Sequence, residues 1–403
     1  MPRDDLIDAL RGFALFGILA VNIQSFVWGL NSATLGVLYE SSSVADELTV
    51  FFTALFFEYK FYPIFCFCFG YGFAMQARRW VARGVNAQNR FTRRMNFMLL
   101  MGVLHGTLIW FGDILARYAI TGYILRRHIG RGPRELLQAA KFWLCVVLVS
   151  TAVLAVIGGA TTGDDAAAPT QNETAQHDSE RVFTTYTEAD YIDATVQRME
   201  DFFAITALYV LVLPQVMLFF LLGAIAAQLK WLRYPARYRM FWQRIFWFGL
   251  LVGLPISIAH ALSQVELASN PWITTSMRKA VWEGLFASFA PILALAYVAG
   301  FALLLAGARG TALIRLFAPA GRIALTLYVA ESVLMMLLLN GFALGLGATF
   351  GQFELFVTAL VIYALLLGIA HWMQHFGVPA PLEGIWRRYT NDDHGSSSQH
   401  KNA

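Results

Sequence analysis

The sequence predicts an all-α fold of the membrane kind, a polytopic helix bundle of about ten transmembrane helices with both termini cytoplasmic. Three observations carry that prediction. Hydrophobic residues make up 58% of the chain and charged residues only 14%, against roughly 45–50% and about 25% in a soluble domain. The charges are gathered into short clusters between long apolar runs, so lipid covers surface that a soluble chain of 403 residues would have to make polar. Basic residues, finally, recur in every second connection between those runs.

Each predicted span is an apolar stretch set against about 30 Å of hydrocarbon. The first, near 12–30, follows Asp4, Asp5, Asp8 and Arg11 in place of a basic leader segment, and no small-residue cleavage motif follows it, so it reads as an uncleaved helix. Further spans are expected near 49–76, 95–112, 114–127 (the shortest), 141–160, 202–228, 241–262, 284–306, 321–340 and 354–376. Lys and Arg beside span ends accumulate on the cytoplasmic side. Arg78 to Arg94, Arg126 to Lys141, Lys230 to Arg244, Arg309 with Arg315, and Arg387 with Arg388 mark the inner connections. The longest outer connection, near 161–201, is acidic, with Asp164, Asp165, Glu173 and Asp178 among its charges, and reads as a partly flexible or short-helical excursion. Arg278 and Lys279 are the exception, falling in an outer connection. The chain is thus one transmembrane domain over residues 1–390, with a disordered cytoplasmic tail over 391–403.

Several classes are excluded. A net charge of +4, set in short blocks beside apolar segments, forms no continuous basic face for nucleic acid. Cys66, Cys68 and Cys145 all lie inside apolar runs and supply neither a disulfide framework nor four zinc ligands, so they read as packing residues. The glycines at 341, 345, 347 and 351 match no phosphate-binding fingerprint. The small-xxx-small pairs Gly102 with Gly106 and Gly249 with Gly253 are expected at helix contacts.

Ionisable residues inside spans are the informative ones, because each costs about 2.5–3.5 kcal/mol or more at a helix centre unless paired or hydrated. Glu58 and Lys60 share the second span, two positions apart, and so point to different faces. His105 lies in the third span with Asp113 at its outer end and Arg117 just beyond; Glu331 is midway along the ninth span and Arg322 at its inner end. Asp8 and Arg11 open the first span, which also carries Asn22. Asp8 and Arg11 are either functional or a helix-dipole acid beside a snorkelling arginine. His105 is either chemical or a hydrogen-bonded structural histidine. Asp113 either joins it or caps the helix that follows. On a continuous helix the eight-residue spacing sets them about 12 Å apart along the axis, lining one cavity without touching.

The run from Asp8 to Ile23 resembles the opening signature of the YeiB-like family, the domain of unknown function 418. Lys60-Phe61 leading to Phe69-Gly70 agrees in order, as does Arg93-Arg94 leading to Gly102, His105, Trp110, Gly112-Asp113-Ile114-Leu115 and Tyr118. Gly321-Arg322 with Ala324-Leu325-Thr326 and Tyr328, and Pro381-Leu382-Glu383 with Trp386-Arg387, complete the pattern. The chain departs from it at Leu327, where an Asn is common, and at Arg117, a position usually apolar. The resemblance implies a bacterial inner membrane. More distantly, the Leu-Arg-Gly opening is similar to membrane acyltransferases of the heparan-glucosaminide acetyltransferase and acyltransferase-3 types. The latter carry a His where this chain has Asn22.

That distant resemblance implies acyl transfer. A cytoplasmic acyl-CoA-type donor, not permanently bound, would be held through its phosphates by Arg11, Arg93 and Arg94, with Asp8, Lys60, Tyr118, Arg322 and Glu331 as further binding residues. His105 would serve as general base, oriented by Asp113, with Asn22 as an oxyanion donor. The acceptor would be a small molecule or an envelope glycan or lipid; membrane lipid and possible homo-oligomerisation complete the partners, and no metal is implied. The alternative is a transporter or lipid-handling protein in which Lys60, Glu331 and His105 form an intramembrane polar path.

Overall fold

The apolar runs fold as helices, several of which continue through an internal proline, Pro214, Pro255 or Pro319. A computed structural model describes residues 5–35, 43–160, 168–265, 276–305 and 310–391, and all regular structure among them is helical. In chain order the helices are α1 (Asp5–Asn22), α2 (Ser25–Leu35), α3 (Val44–Phe56), α4 (Phe61–Ala82), α5 (Ala87–Leu108), α6 (Leu115–Leu125), α7 (Pro133–Ala160) and α8 (Ala168–Thr187). They continue with α9 (Tyr191–Gln228), α10 (Arg239–Ser263), α11 (Ser276–Phe289), α12 (Pro291–Leu305), α13 (Gly310–Arg322), α14 (Ala324–Leu339), α15 (Gln352–Phe376) and α16 (Pro381–Asn391). The helical bundle expected from composition is therefore present. The expected tail from 392 onward and the Arg309 position lie outside the described residues, as do the side chains of Arg278 and Lys279.

By length and composition, six helical segments among the described residues are able to cross a membrane, or seven if α13 and α14, bent by 77° at their junction, form one broken span. The spans expected at 12–30, 95–112 and 114–127 are not among them. Their helices are interrupted after Asn22, weighted with arginines (α5), or only 11 residues long (α6). An 11-residue helix covers about 16 Å, half the hydrocarbon thickness. Of these, α1 and α6 are inner helices, while α5 keeps an exposed apolar face at Leu100 and Leu104. Leu10, Ala14, Leu15 and Leu19 of α1, and Tyr118 and Ala119 of α6, are almost wholly buried, whereas Phe142 of α7 and Leu251 of α10 are exposed on the lipid-facing side. A helix shielded by protein is free of the lipid's demand for apolar surface.

Two close approaches position the centre. A Cβ on Gly321 would overlap the backbone carbonyl of Asp8, and one on Gly12 that of Phe317, so α1 and α13 lie backbone against backbone as only glycine permits. The expected small-residue contacts also form: Gly102 faces Ala116 and Asp113, Gly106 faces Phe202, and Gly249 and Gly253 face Ala296 and Leu293 of α12. Cys66 and Cys68 are fully buried among the core side chains.

The second expected span is where sequence and structure differ most usefully. α3 ends at Phe56 and α4 begins at Phe61; between them Tyr59 takes a left-handed backbone, φ 59°. Glu58 and Lys60 therefore sit at a helix break, and the expectation that they occupy opposite faces of one helix is corrected. Breaking there leaves the Ala54 carbonyl unpaired within the helix, and the buried Lys60 ammonium donates to it at 2.6 Å. The acidic outer connection also holds more helix than its composition suggests: α8 packs on α2, and α9, at 38 residues, begins well before the predicted start at 202. That helix is about 57 Å long, so its first few turns extend beyond the hydrocarbon.

Candidate functional site

The residues that close on one another at the centre come from α5, the turn after it, α6 and α14. At the end of α5 the next two amides, those of Ile109 and Trp110, both donate back to the His105 carbonyl at 2.9 Å, the second across five residues, which widens the last turn and closes the helix. The chain then folds over through Gly112 and returns Asp113 beside His105. The Asp113 Oδ2 lies 3.0 Å from His105 Nδ1, and both residues are buried. The separation of about 12 Å expected for a continuous helix is corrected, since the helix does not continue and the two side chains touch.

Asp113 is held from three sides. Its Oδ1 accepts from the Ala116 amide at 2.7 Å, so the acid also caps the start of α6, which makes both sequence readings true at once. Its Oδ2 receives the Tyr328 hydroxyl at 3.4 Å, while the Ile114 amide donates to the Tyr328 oxygen at 3.1 Å. The Arg117 guanidinium is near enough to interact electrostatically with Asp113 and Tyr328. With Asp113 accepting, His105 carries its proton on Nδ1, and the lone pair of Nε2 is left over. That Nε2 is buried and makes no hydrogen bond among the described residues. Tyr328 packs on the imidazole at 4.9 Å and Trp110 meets it at 6.3 Å.

Asn22 reaches this group only indirectly. It is the last residue of α1; its carbonyl accepts from Ser25 Oγ at 2.6 Å, and Ser25 Oγ accepts from the Trp110 indole at 2.8 Å. Glu331 lies one helical turn beyond Tyr328, is 2% exposed, and makes no hydrogen bond among the described residues.

A second set of predicted residues meets at the other end of α5. Arg11 pairs with Asp8 at 3.1 Å and donates to the Gly321 carbonyl at 3.1 Å; Arg322 pairs with Asp5 at 2.7 Å and donates to Gln374 at 2.8 Å. Arg94 hydrogen-bonds Gln76, stacks on Trp386 at 4.0 Å, and faces Arg11 closely enough for the two cations to repel. Arg93 is its partly buried neighbour on α5. Arg94 precedes His105 by 11 residues on one helix, about 16 Å along the axis. Trp386 belongs to α16, whose Glu383 accepts from the Leu325 and Thr326 amides at 2.9 and 3.2 Å and so caps α14.

Two predicted residues go elsewhere. Tyr118 hydrogen-bonds Cys66 Sγ at 2.9 Å within the core. Lys60 lies under the Phe286 ring at 5.0 Å, in a group with Glu58 and His260, whose Nε2 is 2.8 Å from Glu58 Oε2. Sequence reading missed His260. It stands alone in the apolar run of α10, and only the tertiary packing brings it to Glu58. A further buried group, Arg198, Asp201, Tyr186 and Asn340, was missed too; Arg198 and Asp201 are three residues apart, but Tyr186 and Asn340 join them from 15 and 142 residues away.

Residues 226–392 match the family described as "Protein of unknown function (DUF418)". The chain is 24% identical over 412 residues to the uncharacterized protein YxaH of Bacillus subtilis, covering 96% of this chain and 94% of that one. It is 26% identical over 408 residues to the uncharacterized protein YeiB of Escherichia coli, covering 97% of each. A shorter match, 37% over 123 residues, is to an uncharacterized 39.9 kDa protein of Bacillus acidopullulyticus, 30% of this chain and 33% of that one.

Proposed function

This chain belongs to the YeiB-like DUF418 family, and for it we propose transmembrane acyl transfer, from a cytoplasmic acyl-CoA-type donor to an envelope acceptor in the bacterial inner membrane. One observation carries the reading: a buried histidine whose Nδ1 is fixed by a carboxylate while its Nε2 has no partner. Leaving a buried polar atom without a partner costs about 1–3 kcal/mol. The free nitrogen of an oriented imidazole is the arrangement required of a general base.

In the proposed step, His105 Nε2 takes the proton of an acceptor hydroxyl or amine as that atom bonds to the thioester carbonyl. The carbon–sulfur bond then breaks and the thiolate leaves with the proton that His105 returns. Asp113 holds the tautomer and offsets the charge on the imidazolium. Arg11, Arg94 and Arg93 offer cations to the donor's phosphates about 16 Å away along α5, so the donor needs an arm of that length between phosphate and acyl group. Because the dyad is buried, α5 and α14 must part to admit the acceptor.

The test is incubation of proteoliposomes with radiolabelled acyl-CoA. His105→Ala is expected to reduce acceptor labelling by about a hundredfold or more; labelling equal to that of the natural chain would sink the assignment. Glu331, buried without a hydrogen bond, favours the transport reading instead. Loss of a proton-coupled flux in Glu331→Gln, with no acyl transfer in the natural chain, would be its signature.

A further inference from the structure

The six-residue connection between α9 and the next helical turn, Pro235–Tyr238, joins two segments each able to cross a membrane. A link that short must lie at the membrane surface, whichever side it faces. It encloses a groove of about 680 Å³ lined by Lys230, Arg233 and Arg237, the rings of Tyr234 and Tyr238, and Leu305 at the end of α12. No carboxylate lines the groove, and among the described residues none of its three cations has an acidic partner.

The backbone is set to present these cations. The Trp231 amide donates to the Ala226 carbonyl at 3.0 Å, closing the end of α9 in a turn whose left-handed residue is Lys230, φ 58°. Glycine is the usual occupant of that position, and a lysine there accepts backbone strain. Tyr238 Oη donates to the Leu229 carbonyl at 3.3 Å and ties the far wall to the helix end. Arg233 and Arg237 each lie within 6 Å of a tyrosine ring, 5.8 Å to Tyr234 and 5.9 Å to Tyr238. An open, uncompensated tricationic surface beside apolar side chains at a membrane interface suits a phosphate ester with an acyl tail.

We infer that the α9–α10 connection is a binding site for the phosphate headgroup of an anionic membrane phospholipid. A soluble phosphate ester shares the headgroup chemistry but has no use for Leu305 or the interface, and the experiment separates the two. The full chain in detergent is titrated with phosphatidylglycerol, with phosphatidylcholine and with glycerol phosphate, and adducts are counted by native mass spectrometry. Phosphatidylglycerol is expected to bind at least about tenfold more tightly than phosphatidylcholine. The combined variant Lys230→Gln, Arg233→Gln and Arg237→Gln is expected to remove that preference, and Arg233→Lys with Arg237→Lys to keep most of it. Absence of any preference in the natural chain, or its survival in the glutamine variant, overturns the site. Glycerol phosphate binding as tightly as phosphatidylglycerol overturns the lipid as its occupant.

Discussion

Two buried polar groups of this protein lie near each other, one centred on His105 and the other on Arg198 with Asp201, and they treat their hydrogen-bonding capacity in opposite ways. Around Asp201 everything is used: the Tyr186 hydroxyl donates to it at 2.8 Å, the Gln197 amide at 3.0 Å, and the Leu30 amide also binds it. That last amide is available because Gly29, φ +64°, breaks α2. Arg198 donates to the Leu108 carbonyl at 3.1 Å, to Thr195 at 3.0 Å and to Asn340 at 3.4 Å, and Asn340 donates in turn to the Phe26 carbonyl at 2.9 Å. No buried side-chain atom of Arg198, Asp201, Asn340 or Tyr186 lacks a partner. His105 is as deeply buried and leaves Nε2 unused. A network that closes on itself stabilises, while one that leaves a basic lone pair open keeps a reactive atom in reserve.

This contrast can be broken by experiment. The largest effect is expected at His105. His105→Ala should lower acyl transfer about a hundredfold or more, far out of proportion to the fall in melting temperature from losing the buried Asp113 contact; a loss of activity that only tracks the loss of folded protein would make His105 structural. Asp201→Ala should do the reverse. It strands the Tyr186 hydroxyl, Gln197 and the Leu30 amide, costing about 2–3 kcal/mol, so thermal unfolding should fall by several degrees while activity per folded molecule holds. Activity lost ahead of the fold would place the Asp201 network in the site.

Smaller effects sharpen the boundary between the two. Tyr328→Phe removes the hydroxyl that links Asp113 to the Ile114 amide, and should slow transfer by about tenfold at a stability cost near 1 kcal/mol. An unchanged rate would show that Asp113 needs only His105 and the Ala116 amide to be held. Glu383→Ala removes the α14 cap and should cost about 1 kcal/mol, with no change in transfer rate once folded. A fall in rate at full stability would mean that α16, through Trp386 and Arg94, helps bind the donor.

The cluster at the N-terminal end of α5 was legible before folding because its members are arginines and acids at helix ends, where composition alone raises a question. Arg11 with Asp8 is a local pair three positions apart, readable from helical periodicity. Its partner Arg322 is not, since it arrives only because Gly12 and Gly321 let α1 and α13 touch. His105 and Asp113 were both visible, but their contact depends on α5 stopping at Leu108. Nothing in the run Leu-Ile-Trp-Phe announces that stop; the Gly112-Asp113 pair behind it is the signal that could have found it, as a turn residue followed by a cap. His260 had no local signal, its partner Glu58 lying 202 residues away, and the Arg198 network had only part of one: Gln197 and Asp201 are four apart, but Tyr186 and Asn340 come from 15 and 142 residues away.

By itself the sequence determined that this chain forms a helical membrane bundle, where most helices run, and which residues would be costly to bury. Those follow from transfer free energies that each segment carries wherever it is placed. Only the tertiary structure decided which of the costly residues meet, and which nitrogen is left without a partner. Such pairings depend on where helices break and how closely glycine lets them pack. It decided as well that the helices of the first and fourth expected spans are largely buried by protein, while the third, α5, keeps one face exposed at Leu100 and Leu104.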